Sequence, residues 1–340
     1  MKNILSAAVI GCTGYTGLEL IKILYKHPRV KINFLGSRSS EGKKIENFEP
    51  KFKKFSLPKI NKIKNLDYSL FDIVFLALPS SLSQNIIKKN FGKCNFIDLS
   101  ADFRFKNPKK YQKNYQIKHR CPELLNNFVY GLAEINKKNI LKADNISVPG
   151  CYPTSILLPL YPLIRNKFIS TKNIIIDSKS GYSGAGRNIK KKFKFKHLLD
   201  SISAYGTGSH RHLSEIEQEL RKASNNKINV NFTPHLIPTF RGILSSIYLD
   251  TKNVSAKKIY DILKNYHKKN YFVKISKYNE PIGTGDVINT NFCKISVCKN
   301  REKNKIIIIS AIDNLIKGAS GQAVQNMNVA YKINETTGLL

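Results

Sequence analysis

Ala7-Ala8-Val9-Ile10-Gly11-Cys12-Thr13-Gly14-Tyr15-Thr16-Gly17 is the stretch that decides how the first part of this chain folds. Its leading apolar residues predict a short buried strand, and residues 18–24 have apolar side chains at helical spacing. A strand, a glycine turn and a helix in this order are typical of a dinucleotide-binding loop, because glycine lets the backbone approach a pyrophosphate at a helix N-terminus. The spacing is GxxGxxG rather than GxGxxG, so the interpretation depends on the flanking strand and helix. The candidate contacts in this loop are Gly11, Thr13, Gly14, Tyr15, Thr16 and Gly17.

The next two predicted strands indicate which dinucleotide is bound. Residues 30–35 read as a strand that ends in Gly36-Ser37-Arg38-Ser39-Ser40. An enzyme that uses NAD tends to carry Asp or Glu here, whereas hydroxyls and an arginine suit a 2′-phosphate. We therefore expect Ser37 and Arg38 to select NADP, with a solvent-facing Arg38 as the alternative. A further buried strand over residues 71–78 should bring Pro79 and Ser80 to the border of the cofactor crevice.

Length, composition and the apolar start of the chain favour two domains and a cytoplasmic location. The 340 residues suit two domains of ordinary size, and a hydrophobic fraction of 41% is enough for packed cores. The apolar start of the chain leads straight into the glycine loop, so we interpret it as a first strand rather than a signal peptide. The six cysteines are scattered, without a CxxC pair, which argues against a disulfide framework and against a zinc site. We expect no bound metal and no membrane partner.

The formal charge of +34 is the strongest compositional feature. Taken alone it suggests a nucleic-acid partner, and a basic nucleic-acid-binding protein on a dinucleotide fold stays open as an alternative of a different class. The lysines are dispersed, however, apart from short clusters such as Lys190-Lys191-Lys192, and Lys, Asn and Ile are all over-used together. Compositional drift is the simpler explanation, so we expect no nucleic-acid partner. The charge should still attract an anionic, phosphorylated substrate.

One cysteine lies where a helix is predicted to begin. Pro149-Gly150-Cys151-Tyr152-Pro153-Thr154-Ser155 reads as a tight loop that enters an apolar helix, with Cys151 on the first turn. The unpaired amides and the positive end of the helix dipole favour the thiolate over the thiol. Cys151 is therefore a candidate nucleophile, and the alternative is a small buried hydrophobic residue.

The second half of the chain predicts a different architecture. We expect strands over residues 173–178, 241–249, 287–291 and 305–312, in a mostly antiparallel sheet, followed by a final helix over residues 313–328. The first of these strands leads into a Gly/Ser loop, residues 179–187, that we interpret as a binding loop. The motif His210-Arg211-His212 with Glu215 opens another helix. Beside a candidate thiol, His212 and Glu215 are interpreted as acid/base residues, although a lone histidine is often structural.

Taken in this order, the motifs resemble those of the N-acetyl-gamma-glutamyl-phosphate reductase family of arginine biosynthesis. That family is related to aspartate-semialdehyde dehydrogenase and, more distantly, to phosphorylating glyceraldehyde-3-phosphate dehydrogenase. The resemblance runs nearly from end to end. It rests on the glycine loop 11–17, residues 99–104, 130–134 and 149–154, residues 180–186, His210-Arg211-His212 with Glu215, residues 233–236, Arg241-Gly242 and residues 313–323.

The resemblance implies an α/β chain with two domains. Residues 1–148 would form an NADP-binding Rossmann-type doubly wound parallel sheet. Residues 149–313 would form an α+β catalytic, substrate and oligomerisation domain with a mostly antiparallel sheet, glyceraldehyde-3-phosphate dehydrogenase-like. Residues 314–340 would be a C-terminal helix that returns to the Rossmann domain. The family also suggests a homodimer or homotetramer.

The resemblance further implies the reaction and its residues. NADPH would reduce N-acetyl-L-glutamyl 5-phosphate to N-acetyl-L-glutamate 5-semialdehyde through a thioester on Cys151, with His212 as acid and base and Glu215 orienting it. Further NADP contacts would come from Ser183, Gly184 and Asn314. The candidate substrate-binding residues are Arg104, Ser180, His210, Arg187 and Arg241. The closest alternative is aspartate-semialdehyde dehydrogenase, and the HRHxxE motif with the Cys151-Tyr152-Pro153-Thr154 context favours the acetylglutamyl enzyme.

Overall fold

The computed structural model describes residues 4–187, 200–226 and 228–340. The chain divides into two compact units. The first contains the described residues up to Pro149 together with Ala319–Leu340, and the second contains the described part of Gly150–Gly318. The lysine cluster at 190–192 lies outside the described residues. Among the described helices, none has the length and hydrophobicity needed to span a membrane.

The first unit is built on a seven-stranded parallel sheet in the order β3-β2-β1-β4-β5-β7-β6. The chain runs outward from β1 to β3 and then returns to β4 on the other side of β1, which makes the sheet doubly wound, as predicted. The strands are β1 Leu5–Ile10, β2 Val30–Ser37, β3 Ile60–Lys62, β4 Ile73–Leu76, β5 Asn95–Asp98, β6 Phe128–Tyr130 and β7 Asn145–Ser147.

Both faces of this sheet are buried. Along β1, Ala7 and Val9 belong to one hydrophobic cluster, whereas Ala8 and Ile10 belong to another, because successive side chains point to opposite faces. This explains why the strand reads as a continuous apolar run rather than an alternating one. The helices of the unit are α1 Tyr15–Tyr25, α2 Leu82–Asn90, α3 Pro108–Tyr115, α4 Ala133–Ile140 and, from the end of the chain, Gly321–Ala330.

The second unit contains a seven-stranded mixed sheet in the order β12-β13-β14-β11-β8-β10-β9. Only the pairs β8/β10 and β12/β13 are parallel among the described strands, so the prediction of a mostly antiparallel sheet is confirmed. Its strands are β8 Ile174–Gly181, β9 Ser203–Ala204, β10 Val230–Ile237, β11 Ile243–Asp250, β12 Val273–Ile275, β13 Cys293–Lys299 and β14 Lys305–Ile312.

The helices of the second unit cover one face of that sheet. Those in the described part of the unit are α5 Cys151–Arg165, α6 Arg211–Ser224 and α7 Ala256–Tyr266, and the final helix Gly321–Ala330 is α8. A buried chain of hydroxyls joins α5 to the sheet, with Ser155 Oγ 2.9 Å from Ser245 Oγ and Ser245 Oγ 2.8 Å from Ser178 Oγ. The helix that begins at Cys151 is therefore fixed to the central strands by hydrogen bonds as well as by apolar packing.

Two predictions of secondary structure were wrong. Residues 287–291 form turns after a short 3-10 helix, Thr284–Asp286, and not a strand. Asn289 adopts a left-handed φ of 63°, and its main-chain N–H donates to Asp313 Oδ2 at 2.8 Å, so the backbone cannot stay extended there. The last helix begins at Ile316, with a π-helical turn, rather than at Asp313. Asp313 Oδ1 accepts the N–H groups of Leu315 and Ile316 and so caps that turn from outside the helix.

Candidate active site

Cys151 is the first residue of α5 and is partly exposed. Gly150 is the extended N-cap residue, and its carbonyl oxygen accepts the N–H of Thr154 at 3.0 Å. Cys151 therefore lies inside the first hydrogen-bonded turn of the helix. The amides of a helix's first turn have no partners within the helix, which places main-chain donors beside the sulfur. By contrast, burial raises the pKa of the Cys12, Cys94 and Cys121 thiols to about 12. Those thiols are in no position to act as nucleophiles.

The imidazole of His212 lies against the residue that precedes Cys151. A Cβ atom at Gly150 would be 2.5 Å from His212 Nε2, which no real contact allows. A Cβ atom at Gly318 would likewise be only 2.7 Å from Cys151 Cβ. Both glycines are thus required by close packing, and they allow the cysteine, the His212 ring and residue 318 to meet within the second unit.

Glu215 fixes the cysteine loop. Its side chain is fully buried on α6, one turn after His212, and Oε1 accepts the main-chain N–H of Gly150 at 2.9 Å. The sequence predicted that Glu215 orients His212. That role stays a prediction; the hydrogen bond to Gly150 shows that a single helix carries the imidazole and holds the backbone next to the thiol.

His210 is the N-cap of α6 and is surrounded by aromatic rings. Its Nδ1 accepts the N–H of His212 at 3.1 Å, and its ring lies edge-on to Tyr152, Tyr205 and Phe232. Burial, with a smaller effect from the charge of Arg211, lowers the pKa of His210 to about 4. The ring is therefore neutral near pH 7, and as a neutral acceptor it caps the helix that carries His212.

Ser180 reaches this cluster through a tyrosine. The hydroxyl of Tyr152 lies 3.0 Å from the hydroxyl of Tyr205. Burial raises the pKa of Tyr152, and the side chain of Ser180 is close enough to lower that pKa slightly against the larger effect of burial. Ser180 Oγ donates to the carbonyl oxygen of Gly181 at 3.0 Å. The second unit therefore brings Cys151, His212, Glu215, His210 and Ser180 close together, while their roles in one site stay a prediction.

Three further predicted contacts are neighbours in the second unit. Asn314 Oδ1 accepts the N–H of Gly242 at 2.7 Å, and Asn314 Nδ2 donates to Ser183 Oγ at 2.9 Å. Gly184 lies next to the same amide, because a Cβ atom there would be 3.7 Å from Asn314 Nδ2. The sequence grouped Ser183, Gly184 and Asn314 as cofactor contacts, and they are indeed neighbours within this unit.

The candidate arginines occupy three different environments. Arg241 is bidentate to the buried Asp313, with Nε 2.7 Å from Oδ2 and Nη2 2.9 Å from Oδ1. Arg104, in the first unit, is buried and donates from Nε to the Val148 carbonyl at 2.8 Å and from Nη2 to the Leu99 carbonyl at 3.1 Å. Arg187 is exposed and immediately precedes a segment outside the described residues.

The three glycines of the first unit's loop differ in how much space surrounds their missing Cβ atoms. Gly11 has a φ of +84°, and a Cβ atom there would lie 2.2 Å from the Ala77 carbonyl oxygen; one at Gly17 would lie 2.3 Å from the Gly11 carbonyl oxygen. Both are required by the fold itself. At Gly14, the N-cap of α1, an added Cβ atom would make only an ordinary 3.6 Å contact with the Gly11 oxygen. The protein alone does not require glycine at position 14, which fits a ligand phosphate approaching there.

The other loop side chains and the end of β2 lie on the same sheet edge. Thr13, Tyr15 and Thr16 are half-buried. Ser37 is buried as the last residue of β2, and Arg38 is exposed directly after it. The carboxylate that follows next in the chain, Glu41, pairs with Lys62 at 2.6 Å. Pro79 is exposed and Ser80 half-buried after β4, at the carboxyl edge that a dinucleotide uses in such sheets.

Sequence reasoning missed several residues of these sites. Gly318 was only one of several small residues at the start of the final helix, and its contact with Cys151 depends on the π-helical turn. Tyr205 lies in a stretch without a recognisable pattern. Asp102 was quoted only as part of a family motif, yet it is fully buried and accepts the N–H of Ser81 at 2.7 Å.

Comparisons with known proteins fit this arrangement. Two family models match the chain, "Semialdehyde dehydrogenase, NAD binding domain" over residues 6–143 and "Semialdehyde dehydrogenase, dimerisation domain" over residues 151–314. Among solved structures, aspartate semialdehyde dehydrogenase II from Vibrio cholerae has a TM-score of 0.73 at 18% identity, covering 97% of this chain and 99% of that one. Aspartate semialdehyde dehydrogenase with NADP from Candida albicans has a TM-score of 0.66 at 18% identity, covering 98% and 100%. These likenesses confirm the predicted fold.

A relative of higher identity identifies the family. The N-acetyl-gamma-glutamyl-phosphate reductase of Alkaliphilus metalliredigens (strain QYMF) is 45% identical over 338 residues, which is 98% of this chain and 98% of that protein. Identity at this level over the whole length confirms the resemblance that the motifs indicated. The chain belongs to the N-acetyl-gamma-glutamyl-phosphate reductase family.

Proposed function

We propose that this protein is an oxidoreductase of arginine biosynthesis that reduces N-acetyl-L-glutamyl 5-phosphate to N-acetyl-L-glutamate 5-semialdehyde with NADPH, releasing phosphate. The observation that carries the proposal is the placement of Cys151 on the first turn of α5, with the His212 ring packed against Gly150. A partly exposed thiol beside first-turn helix amides and an imidazole is equipped to form a covalent acyl intermediate. The name of the 45% identical relative supports this substrate.

The first unit suits NADP. Gly14 at the N-terminus of α1 has only one ordinary contact around its missing Cβ atom and suits the pyrophosphate, and the exposed Arg38 after β2 suits the 2′-phosphate. The residues that would hold the cofactor are those predicted from sequence, Gly11, Thr13, Gly14, Tyr15, Thr16, Gly17, Ser37, Arg38, Pro79, Ser80, Ser183, Gly184 and Asn314. When bound, NADPH supplies a hydride ion to the acyl carbon.

Cys151 performs the first chemical step. Its thiolate attacks the carbonyl carbon of the acyl phosphate, a carbon–sulfur bond forms, and the carbon–oxygen bond to phosphate breaks. Phosphate leaves with the electron pair of that bond, and the acyl group remains as a thioester. The negative charge that develops on the carbonyl oxygen needs fixed donors, and the main-chain N–H groups of the first turn of α5 are suitably placed to provide them.

His212 acts as the general base and then as the general acid. It takes the thiol proton when Cys151 becomes a nucleophile. After reduction the tetrahedral thiohemiacetal anion collapses to the aldehyde and the Cys151 thiolate, and His212 returns the proton to that sulfur. Glu215 holds Gly150, so the thiol and the amides keep their positions during both steps. His210, neutral at the N-cap of the same helix, would contact the substrate as a hydrogen-bonding group, together with Ser180.

The anionic groups of the substrate require arginines. Arg241, Arg104 and Arg187 remain the candidates, since guanidinium groups bind carboxylate and phosphate through paired hydrogen bonds. The ion pair with Asp313 fixes the plane of the Arg241 guanidinium, and the two main-chain carbonyls fix Arg104. We infer that these two are preorganised binding groups rather than flexible surface charges.

The experiment that tests this function supplies each candidate aldehyde with NADP and phosphate, and follows the absorbance of reduced nicotinamide. N-acetyl-L-glutamate 5-semialdehyde should support the reaction, and L-aspartate semialdehyde should support it at least about 100-fold less efficiently, because binding groups that lose a partner discriminate strongly. Preference for the aspartyl compound would establish aspartate-semialdehyde dehydrogenase instead. No reaction with either, together with salt-dependent DNA binding, would favour the nucleic-acid-binding alternative.

We also propose that the enzyme works in the cytoplasm as a homodimer or homotetramer. The outer face of the second unit's sheet carries an apolar row formed by Cys298, Ile307, Tyr248 and Ile175, which are directly paired across neighbouring strands. Ile175 is 47% exposed and Tyr248 40% exposed. The family model that covers this unit is named for dimerisation, so a second copy is the occupant we expect. Light scattering should give at least a dimer, and Ile175→Lys with Tyr248→Lys should give a monomer; a monomeric wild type would contradict the proposal.

A further inference from the structure

A strained serine follows β4 in the first unit. Ser81 has a φ of 75° and a ψ of −13°, which is the left-handed region that an L-residue other than Asn or Asp rarely adopts. Its own side chain does not cap α2, which begins at the next residue. A conformation of this kind persists only where the surroundings determine it, and it is found most often at functional sites.

Asp102 determines the conformation of Ser81. Its Oδ1 accepts the main-chain N–H of Ser81 at 2.7 Å and the hydroxyl of Tyr111 at 2.7 Å. The Tyr111 hydroxyl in turn accepts from Gln84 Nε2 at 2.8 Å, and Gln84 Oε1 accepts the N–H of Arg120 at 2.8 Å. The turn after β4 is thus connected to α2, α3 and the segment that follows α3 through one carboxylate.

The carboxylate is costly to bury in this place. Asp102 is fully buried, and among the described residues its Oδ2 has no hydrogen-bond partner. A second fully buried carboxyl, Asp98, is close enough for the charge of Asp102, after burial itself, to raise the pKa of Asp98 to about 7. Apolar residues of similar size would serve stability better, so a role in function accounts for Asp102 better than a role in packing.

The position of the turn follows from the strand order. The loop after β1 is suited to a pyrophosphate, and the adjacent β2 ends at Arg38, which is suited to the phosphorylated adenosine ribose. The strand on the other side of β1 is β4. A dinucleotide that lies across the carboxyl edge therefore places its nicotinamide half over the turn formed by Pro79, Ser80 and Ser81.

We propose that Asp102 is a positioning residue for hydride transfer, which acts by holding the Ser81 turn against the nicotinamide half of the cofactor. This inference rests on the proposed placement of NADP along the first unit's sheet. It assigns to Asp102 no contact with the reacting atoms. Loss of the carboxylate should leave the adenosine half of the cofactor bound normally and disturb only the orientation of the nicotinamide.

The test compares wild type, Asp102→Ala and the double variant Asp102→Ala with Ser81→Gly. Calorimetric titrations with NADPH and with adenosine 2′,5′-bisphosphate report the whole cofactor and its adenosine half. For Asp102→Ala we expect NADPH to bind roughly 5–10-fold more weakly, the bisphosphate to bind as in wild type, and kcat to fall about 10–100-fold, because small misplacements of reacting groups are expensive in rate. The kinetic isotope effect with NADPH deuterated at the transferred position should rise, since hydride transfer becomes rate-limiting.

Rescue separates positioning from general damage. Glycine adopts a positive φ without a Cβ penalty, so Ser81→Gly should restore most of the lost kcat in the Asp102→Ala background. Asp72→Asn is the matched control: Asp72 Oδ2 also accepts a main-chain N–H, from Ser6 at 2.7 Å, but at the amino end of β4, and the change should alter neither binding nor kcat. If Asp102→Ala does not fold, Asp102→Asn, which keeps Oδ1 as an acceptor, should show the same pattern at about 3–10-fold.

The outcomes are distinct. Unchanged NADPH affinity, kcat and isotope effect in a folded Asp102 variant would overturn the inference, as would equal weakening of NADPH and the bisphosphate, or failure of the glycine rescue. A wild-type protein that binds neither ligand would instead overturn the proposed NADP site, which is a separate failure.

Discussion

The carboxylate of Glu215 accepts the main-chain N–H of Gly150 at 2.9 Å, so the helix that carries His212 also holds the residue before Cys151. Three requirements of the proposed covalent catalysis depend on this bond. The thiol must face the substrate, the amides of the first turn must converge on the oxyanion, and the imidazole must stay close to both. Because Glu215 is fully buried, it enforces these positions with little freedom to move.

Removing that acceptor should separate the two elements. In Glu215→Ala the buried Gly150 N–H loses its partner, which should cost about 1–3 kcal/mol of stability and slow turnover by more than tenfold. Glu215→Gln keeps an acceptor oxygen and should retain much of both. Thermal melting and the rate of alkylation at Cys151, read by peptide mapping, check the prediction. Glu217→Gln on the same helix is the control, and an alkylation rate in Glu215→Ala equal to that of wild type would contradict the proposed role.

The glycine loop offers a test that separates folding from binding. Gly14→Ala should fold with the melting temperature of wild type, because the added Cβ atom has ordinary space, but it should weaken NADPH binding by at least tenfold. Gly11→Ala should destabilise the protein by about 1–3 kcal/mol through its left-handed backbone alone, with the overlap onto Ala77 adding to this. Calorimetry and melting curves measure both effects. Unchanged cofactor affinity in the Gly14→Ala variant would show that no phosphate approaches there.

Arg38 should decide between the two nicotinamide cofactors. Arg38→Glu places a negative charge where the 2′-phosphate would lie, so the Kd for NADPH should rise by about 100-fold while that for NADH changes little. Lys31→Glu, an exposed change on β2, the strand that Arg38 follows, is the control for the altered net charge. Equal losses for NADPH and NADH would remove Arg38 from cofactor selection.

The buried carboxyl pair predicts a pH-dependent stability. Burial, and then the charge of Asp102, raises the pKa of Asp98 from 3.8 to about 7 in the folded protein. The folded state therefore binds more protons than the unfolded state between about pH 4 and pH 7. The stabilisation by protonated Asp98 is therefore complete below the pKa of the unfolded state, 3.8, and is lost as the pH rises through the pKa of the folded state, about 7. Denaturant titrations should show that Asp98→Asn, which cannot ionise, flattens this fall, and parallel pH profiles for both proteins would contradict the assignment.

The sequence predicted most of the fold because its strongest patterns are local. The run from Ala7 to Leu24 contains strand, turn and helix in contiguous residues, and the apolar strands of the first sheet need no partner to be recognised. Residues 287–291 have an equally good strand composition, yet Asp313 binds the backbone of Asn289 and bends it. A pattern confined to one segment cannot report a hydrogen bond to a residue 24 positions away.

In the candidate site, too, local patterns were predictable and long-range contacts were not. Cys151 and His212 were recognisable because a thiol at a helix start and paired histidines are distinctive in any context. The contacts that hold them were not, since Gly318 meets Cys151 only through a π-helical turn and Glu215 reaches across 65 positions to Gly150. Asp102 was missed for the same reason, because its importance depends on the backbone conformation of Ser81, which no sequence pattern predicts.

The most direct test of the account is a search for the acyl-enzyme itself. Wild-type protein is mixed with N-acetyl-L-glutamate 5-semialdehyde and NADP in the absence of phosphate, and the reduced nicotinamide and the intact protein mass are followed together. We predict a burst of one NADPH per subunit, with one acyl group on the peptide that contains Cys151, and neither signal in Cys151→Ser. Turnover without a burst, or an acyl group on any other residue, would contradict the central claim that the Cys151 sulfur carries the substrate.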